Sequence, residues 1–363
     1  MDERFLRPLE LLPNPVYRFY QGGELLGRFR GDHLPRDGDF PEDWVGSVTR
    51  ATNPPQHSRS DEGLSHVQVD GLDVSLAELL LDDAAAVAGS ELVERFGPTI
   101  GVLVKLLDAG CRLPIHAHPT REFASRHLGS PFGKAEAWIV LETRAIAGAE
   151  PPGVRLGFRT ALGMQHLLDL ISEQRVAEMS AAMHFIPVTA GDVIFVPPGV
   201  PHSIGAGVFV MEVQEPTDFS IILEWQGFPI DPADADLGLG WQTISQTLDA
   251  GPISNERLRE LQPSPLLIAE KGSSRLESLL GSLGDDTFAA HRLRVAGSAD
   301  WPFAQAYSVA VVTEGAGRVS NRAGSLEVRH GSSFAVLAAA PPVTVQGTLT
   351  MVVFSGPGAR AQA

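Results

Sequence analysis

The chain has 363 residues, of which 44% are hydrophobic and 20% are charged. Such a length is typical of about two domains. The formal net charge of −16 argues against a nucleic-acid or anionic-membrane partner, because both require a basic surface. A single cysteine, Cys111, excludes an internal disulfide and fits a reducing compartment. No signal-peptide core and no membrane-length apolar run is present, so we expect a cytoplasmic protein with no membrane partner.

The N-terminal two thirds of the chain predict short strands with two helical insertions. Turn-forming residues recur through residues 1–60 and predict loops with short strands. Residues 74–95 and 164–182 have the apolar spacing of helices. Short β-rich runs separated by Gly and Pro begin at Val102 and predict a jelly-roll type of sandwich or barrel. These runs are 102–107, 112–118, 136–142, 184–188, 192–196, 208–213 and 219–225.

The same order of strands and glycine turns returns in the last part of the chain. A Gly/Asp/Pro-rich stretch at 227–240 predicts a loop, residues 254–281 predict two helical pieces, and β-rich runs resume at 288. We therefore predict an N-terminal domain at 1–240, a helical linker segment at 241–287 and a C-terminal domain at 288–363. The fold class is mainly β, with two jelly-roll domains of which the second is a diverged copy.

Three histidines stand in patterns that favour a metal site. His116 and His118 share one face of a strand, because alternate residues of a strand point the same way. His202 follows a strand and a Pro-Gly turn in GDVIFVPPGVPH. These two blocks resemble the paired motifs of the cupin superfamily, in which such histidines bind one metal with the help of a carboxylate. The resemblance implies a double cupin, and this donor set suits zinc, iron, manganese or nickel.

Two glutamates are candidates for the fourth ligand. Glu122 has the spacing of the generic cupin motif, but it lies in TREFASRHL, which is typical of a helical turn. Glu136 lies at the start of a strand in GKAEAW, with Lys134 on the same face. The local sequence leaves both candidates open.

LPIHAHP, GKAEAW and GDVIFVPPGVPH together resemble the type I phosphomannose isomerase family. That resemblance favours Glu136 over Glu122 and places Lys134 in the substrate pocket. The PEDW stretch is similar to the family's N-terminal segment and makes Glu42 a candidate substrate contact. The metal ligands that the resemblance implies are His116, His118, Glu136 and His202.

The family resemblance also implies a reaction, the interconversion of mannose 6-phosphate and fructose 6-phosphate. A divalent cation would polarise the carbonyl, and Lys134 would act as the catalytic acid–base. The family's arginine position holds Ile222 here, which leaves open whether the substrate is phosphorylated and whether catalysis is retained. The alternatives are another cupin enzyme, such as an iron-dependent oxygenase, and a non-catalytic sugar-binding double cupin.

The second β-rich unit lacks a His-x-His pattern. His291 and His330 stand alone in it, and we predict that this unit binds no metal and serves packing or assembly. We expect a monomer or a homodimer whose partner is a sugar or sugar phosphate.

Overall fold

The computed structural model describes residues 2–54, 57, 59–69, 71–359 and 361. Strands dominate the chain. In chain order they are β1 Leu9–Glu10, β2 Pro15–Val16, β3 Glu42–Val45, β4 His66–Val69, β5 Leu72–Ser75, β6 Leu103–Ala109, β7 His116–Ala117, β8 Glu136–Thr143, β9 Gly153–Phe158, β10 Met183–Pro187, β11 Val193–Val196, β12 His202–Ile204, β13 Val208–Gln214, β14 Ile221–Ile222, β15 Leu266–Lys271, β16 Ser274–Ser278, β17 Ala289–Asp300, β18 Ser308–Asn321, β19 Gly324–Arg329, β20 Ser333–Val336 and β21 Thr344–Ser355.

The helices are short and lie between the strands. They are α1 Glu24–Arg30, α2 Leu76–Asp82, α3 Ala84–Ala88, α4 Ser90–Phe96, α5 Arg121–His127, α6 Met164–Ser172, α7 Val176–Ala182, α8 Trp241–Ile244 and α9 Asn255–Glu260. Both stretches for which the sequence predicts helical insertions are helical, as α2 to α4 and as α6 with α7. Among the described residues, no helix has the length and apolar content that a membrane crossing requires.

Two antiparallel sheets form the N-terminal sandwich. One has five strands in the order β10-β9-β12-β7-β14, and the other has six in the order β11-β8-β13-β6-β3-β2. Several neighbouring strands, such as β8 with β13 and β7 with β14, come from distant parts of the chain, as expected for jelly-roll connections. β9 was absent from the predicted strands, and it lies between β10 and β12 in its sheet.

An eight-stranded sheet, here called the C-terminal sheet, forms the second unit. Its order is β1-β20-β18-β21-β17-β16-β15, with β19 paired to β18. Long strands make most of this sheet, and its inner face covers a separate apolar core around Leu293, Val312 and Met351. The first strand of the chain, β1, pairs with β20 and thereby ties the N-terminus to the second unit.

The predicted helical linker at 241–287 is wrong in its second half. Only α8 and α9 are helical, while β15 and β16 form a hairpin that extends the C-terminal sheet. The turn between them contains Gly272 with a φ of +63°, a conformation that glycine adopts without strain. Leu, Glu and Lys in this stretch favour a helix locally, but pairing of β16 with β17 overrides that preference.

One row of side chains crosses the six-stranded sheet on the face toward the site. Direct cross-strand partners point to the same side of a sheet. Trp138 of β8 lies opposite Glu212 of β13, Glu212 opposite Lys105 of β6, and Lys105 opposite Trp44 of β3. The interior of the sandwich is therefore charged where a sheet interior is ordinarily apolar.

Candidate metal centre

The two sheets each contribute ligands to one site. In the five-stranded sheet, His116 of β7 lies directly opposite His202 of β12, and His118 follows β7 by one residue. Glu136 is the first residue of β8, in the six-stranded sheet. Because the sheets face each other, the carboxylate reaches the imidazoles across the interior of the sandwich. One ligand atom from each of the four residues lies within 4.8 Å of the others.

The side chains of this cluster are in close contact and are buried from solvent. Glu136 Oε2 lies 3.0 Å from His118 Nε2, and Glu136 Oε1 lies 3.2 Å from His202 Nε2. The rings of His116 and His202 have centroids 4.1 Å apart. Relative exposure is 0% for His118 and His202, 1% for Glu136 and 9% for His116. The four groups therefore converge on one point that little water reaches.

Backbone carbonyls set the orientation of the three imidazoles. Each ring directs its Nδ1 atom to a carbonyl oxygen, which leaves Nε2 directed to the shared point. The distances are 2.9 Å from His116 to Pro114, 2.8 Å from His202 to Val200 and 2.8 Å from His118 to Phe219. A ring held in this way presents a lone pair on Nε2, as a metal ligand must.

The protonation states of the cluster suit a cation. Burial lowers the pKa of His118 to about 3, and the adjacent Lys134 ammonium acts in the same direction. Burial and the neighbouring histidines also hold the pKa of His116 well below its ordinary value. Burial alone would raise the pKa of Glu136, but Lys134 and the two nearest histidines hold it well below its ordinary range. Neutral imidazoles and an ionised carboxylate are the ligand forms that metal binding needs.

Three atoms of the cluster also lack ordinary partners. Both carboxylate oxygens of Glu136 and Nε2 of His202 are buried without a well-aligned hydrogen bond to any residue that the structure describes. Buried polar atoms are nearly always satisfied, so such orphans require an explanation. Three nitrogens and a carboxylate around one point fit a divalent transition metal.

Lys134 borders the ligands directly. Its Nζ lies 2.9 Å from His118 Nε2 and 3.2 Å from Glu136 Oε2, and the residue is 4% exposed. The side chain therefore stands beside the ligand point, where a substrate atom bound there would come within its reach.

Glu122, the rival fourth ligand, lies away from the cluster. It belongs to α5, its side chain is 80% exposed, and it forms an i, i+4 ion pair with Arg126. A carboxylate on the outer face of a helix cannot reach the interior of the sandwich. The structure brings Glu136, and not Glu122, to the three histidines.

Glu42 lies in the same interior, and both of its carboxylate oxygens have partners. Trp44 Nε1 donates to Glu42 Oε2 at 2.6 Å, and Tyr20 donates its hydroxyl to Oε1. Arg18 Nε lies 3.0 Å from Oε2, and Lys105 Nζ lies 3.7 Å from it. Burial alone would raise the pKa of Glu42, but these two cations hold it far below its ordinary range.

Four further charged residues of the interior were not among the site residues that the sequence predicted. Lys105 Nζ lies 3.1 Å from Glu212, whose other oxygen accepts from Trp138 Nε1 at 3.2 Å. Arg18 pairs with Asp218 at 2.9 Å. The sequence contains a signal for this charged interior, because Lys105 and Glu212 each interrupt an otherwise apolar strand, in VLVKLL and VFVMEV. A buried charge within such a strand must be paired, and it favours a polar interior.

Ile222 borders the metal site from β14. Its backbone lies opposite His116, and its side chain is 8% exposed. The position for which the resemblance implies an arginine therefore lies next to His116, and here it carries an apolar side chain.

The fold is a double cupin, and the site is a cluster of four side chains that could hold one metal ion. Three histidines from one sheet and a glutamate from the other form its centre, and no equivalent cluster of His, Cys, Asp or Glu lies elsewhere in the described chain. No protein-family profile matches the sequence.

Curated relatives and solved structures point to one group of proteins. The chain is 24% identical over 266 residues to a probable mannose-6-phosphate isomerase of Bacillus subtilis strain 168, covering 71% of this chain and 75% of the relative. It is 34% identical over 117 residues to a mannose-6-phosphate isomerase of Streptococcus mutans, covering 32% of this chain and 34% of that one.

The fold is that of the mannose-6-phosphate isomerases. A crystal structure of the mannose 6-phosphate isomerase from Bacillus subtilis matches with a TM-score of 0.72 at 20% identity, covering 96% of this chain and 99% of the other. A zinc-bound mannose 6-phosphate isomerase structure matches with a TM-score of 0.70 at 17% identity, with coverage of 96% and 99%. These findings confirm the predicted double-cupin fold and the resemblance that the motifs indicated, and the low identity marks a divergent relative.

Proposed function

We propose that the protein is a metal-dependent aldose–ketose isomerase that interconverts mannose 6-phosphate and fructose 6-phosphate. The observation that carries the proposal is Lys134, held 2.9 Å from His118 Nε2 and 3.2 Å from Glu136 within a buried donor cluster. The relatives named mannose-6-phosphate isomerase support it.

Zinc is the ion we propose for the centre, since a structural neighbour is zinc-bound and three nitrogens with one carboxylate oxygen suit it. When bound, a divalent cation would polarise the substrate carbonyl and stabilise the negative charge that develops on its oxygen. His116, His118, Glu136 and His202 are the residues that would hold it.

Lys134 is the proposed catalytic acid–base. Aldose–ketose interconversion moves a proton between C2 and C1 through a cis-enediol. Lys134 Nζ takes the proton from C2 of the aldose and returns it to C1, while the proton of the C2 hydroxyl moves to the C1 oxygen to give the ketose. Its fixed position beside two metal ligands keeps one group within reach of both carbons.

The surrounding side chains hold the substrate and keep water out. Trp138 packs its ring against His202 with centroids 5.6 Å apart, and it is fully buried. Gln214, opposite Glu136 on the neighbouring strand, has a buried Oε1 without a hydrogen-bond partner in the described chain, so it can accept from a sugar hydroxyl. Direct substrate contact by Glu42 stays a prediction. With both oxygens engaged, we propose that it acts through Lys105 and Arg18.

A turnover panel tests the function. The zinc-loaded protein is incubated with mannose 6-phosphate, fructose 6-phosphate, mannose and fructose, and products are separated by chromatography. We expect interconversion of the phosphorylated pair by the intact protein and none by the His118→Ala variant. Absence of turnover across the panel, with stoichiometric metal, would overturn the proposal.

Elemental analysis of the purified protein distinguishes the proposed isomerase from an iron-dependent oxygenase. Iron together with oxygen consumption in the presence of substrate would favour an oxygenase. Sugar binding without turnover would favour a non-catalytic double cupin, for which Ile222 beside His116 is the specific observation.

A further inference from the structure

The cations described inside the sandwich each form an ion pair with a carboxylate. Arg18 is paired with Asp218, Lys105 with Glu212, and Lys134 with Glu136. Around the site, Arg121 is likewise paired with Glu215 and Arg112 with Glu224. Ile222 is apolar. A phosphate dianion placed in this interior would lie next to the carboxylates that pair with these described cations.

A phosphate on C6 belongs at the rim rather than in the interior. The reacting carbons, C1 and C2, must lie at Lys134, while C6 is the opposite end of the sugar chain. The rim of interest is the end of the six-stranded sheet that carries Glu136. Glu136 lies opposite Gln214, and Gln214 lies opposite Leu103 at the first residue of β6. On the next strand, β3 ends at Val45, opposite Val104, at this same end.

The loop after β3 is attached to the backbone that orients a metal ligand. Thr49 Oγ1 donates to the carbonyl oxygen of Pro216 at 3.3 Å, and the Thr52 amide donates to Asp218 at 2.8 Å. The next residue, Phe219, supplies the carbonyl that holds His118. Residues 49–52 therefore run along the segment that borders the metal centre.

Buried Glu62 holds the other side of this loop. It is 2% exposed, its carboxylate accepts from Asn53 Nδ2 at 3.1 Å and from the Tyr17 amide at 2.9 Å, and its carbonyl accepts from the Ala51 amide. The loop is thus anchored on both sides of Arg50.

Arg50 is the basic residue of the segment 49–52. Its side chain is exposed and makes no hydrogen bond or ion pair with any residue that the structure describes. A guanidinium matches a phosphate with two parallel hydrogen bonds and stays charged at every relevant pH.

We propose that Arg50 is the specificity-determining residue that binds the substrate's terminal phosphate at the rim of the metal site. The inference rests on the proposed isomerase function and names its substrate class, a hexose 6-phosphate. It assigns recognition of the phosphate to a rim loop, separate from the interior groups that hold the reacting end.

The Arg50→Gln variant tests this, with Arg36→Gln as the matched control. Arg36 is also an exposed loop arginine without a partner among the described residues. Its loop lies at the opposite end of the sheet. There Gly38 pairs with Gly22, and Gly22 packs against the backbone of Asp108 near the end of β6. Steady-state kinetics of both zinc-loaded variants are measured with mannose 6-phosphate and with mannose.

For Arg50→Gln we expect kcat/KM for mannose 6-phosphate to fall about tenfold or more, mainly through KM, as loss of hydrogen bonds to a charged group predicts. The value for mannose and the metal content should stay unchanged, and Arg36→Gln should match the wild type. Equal loss with both sugars, or no loss with the phosphorylated one, would overturn the inference.

Calorimetric binding of mannose 6-phosphate separates this inference from the proposed function. If the wild type binds it without turnover and Arg50→Gln binds it about tenfold more weakly, the isomerase proposal fails and the phosphate site stands. Equal affinity of both proteins, or no preference of the wild type for mannose 6-phosphate over mannose, would overturn the phosphate site.

Discussion

The two β units pair their strands in the same antiparallel way but fill their interiors differently. In the N-terminal sandwich one row across four strands consists of Trp138, Glu212, Lys105 and Trp44. In the C-terminal sheet a comparable row consists of Val312, Met351, Leu293 and Leu276. The first row is half charged and the second is entirely apolar.

This contrast shows what the interior of a β-sandwich needs before it can contain charged functional groups. Buried charges are costly unless each is paired, and the N-terminal sandwich pairs its cations with carboxylates. The C-terminal sheet avoids that requirement and gains an ordinary core. Its one deeply buried imidazole, His291, has an Nδ1 without a partner in the described chain, and no carboxylate joins it.

The largest expected effect is on zinc content, which should depend on the N-terminal unit and not on the C-terminal one. His118→Ala should reduce the zinc content of the purified protein to near zero, because it removes one of four convergent ligands. The matched variant His291→Ala should keep a full complement. Zinc content is measured by plasma emission spectrometry, and full occupancy of His118→Ala would refute the ligand set.

Next in size is the effect of Lys134 on turnover. Lys134→Met should lower kcat by about 10²- to 10⁴-fold while the metal is retained, the range expected for loss of a general acid–base. Lys271→Met, at a lysine of the C-terminal sheet whose side chain is 83% exposed, should be without effect. An unaltered kcat for the Lys134 variant with bound zinc would remove that residue from the chemistry.

A stability comparison follows. Lys105→Met leaves Glu212 buried without its ammonium partner, and we expect a loss of about 3 kcal/mol in the free energy of unfolding. Arg318→Met breaks the exposed pair with Glu327 in the C-terminal sheet and should cost about 0–1 kcal/mol. Urea denaturation of both variants checks this, and equal losses would contradict the assigned difference in burial.

The smallest expected effect concerns pH. Burial lowers the pKa of His291 to about 4, below its unfolded value, so the unfolded chain binds the proton more strongly. This residue should therefore leave stability unchanged above pH 7 and reduce it as the pH falls toward 4, by about 2 kcal/mol between pH 7 and pH 5. His291→Leu should remove that part of the pH dependence. Denaturation curves of variant and wild type that fall in parallel would show that His291 takes its proton as readily in the folded state.

Several features were determined by the sequence alone because they depend on short-range spacing. The i, i+2 rule placed His116 and His118 on one face, and the Pro-Gly turn indicated His202. Apolar periodicity gave both helical insertions. Glu136 was preferred to Glu122 only through the family resemblance, since two carboxylates with plausible local spacing cannot be separated without knowing which strand faces the histidines.

Only the tertiary structure decided the features that depend on cross-strand pairing. Pairing with β17 turned a helix-favouring stretch into the hairpin β15–β16, because sheet hydrogen bonds outweigh weak local propensity. Register alone placed Lys105 between Glu212 and Trp44, and attachment of the β3 loop to Pro216 and Asp218 put Arg50 at the rim. Such contacts join residues far apart in the chain, so no local pattern of residues encodes them.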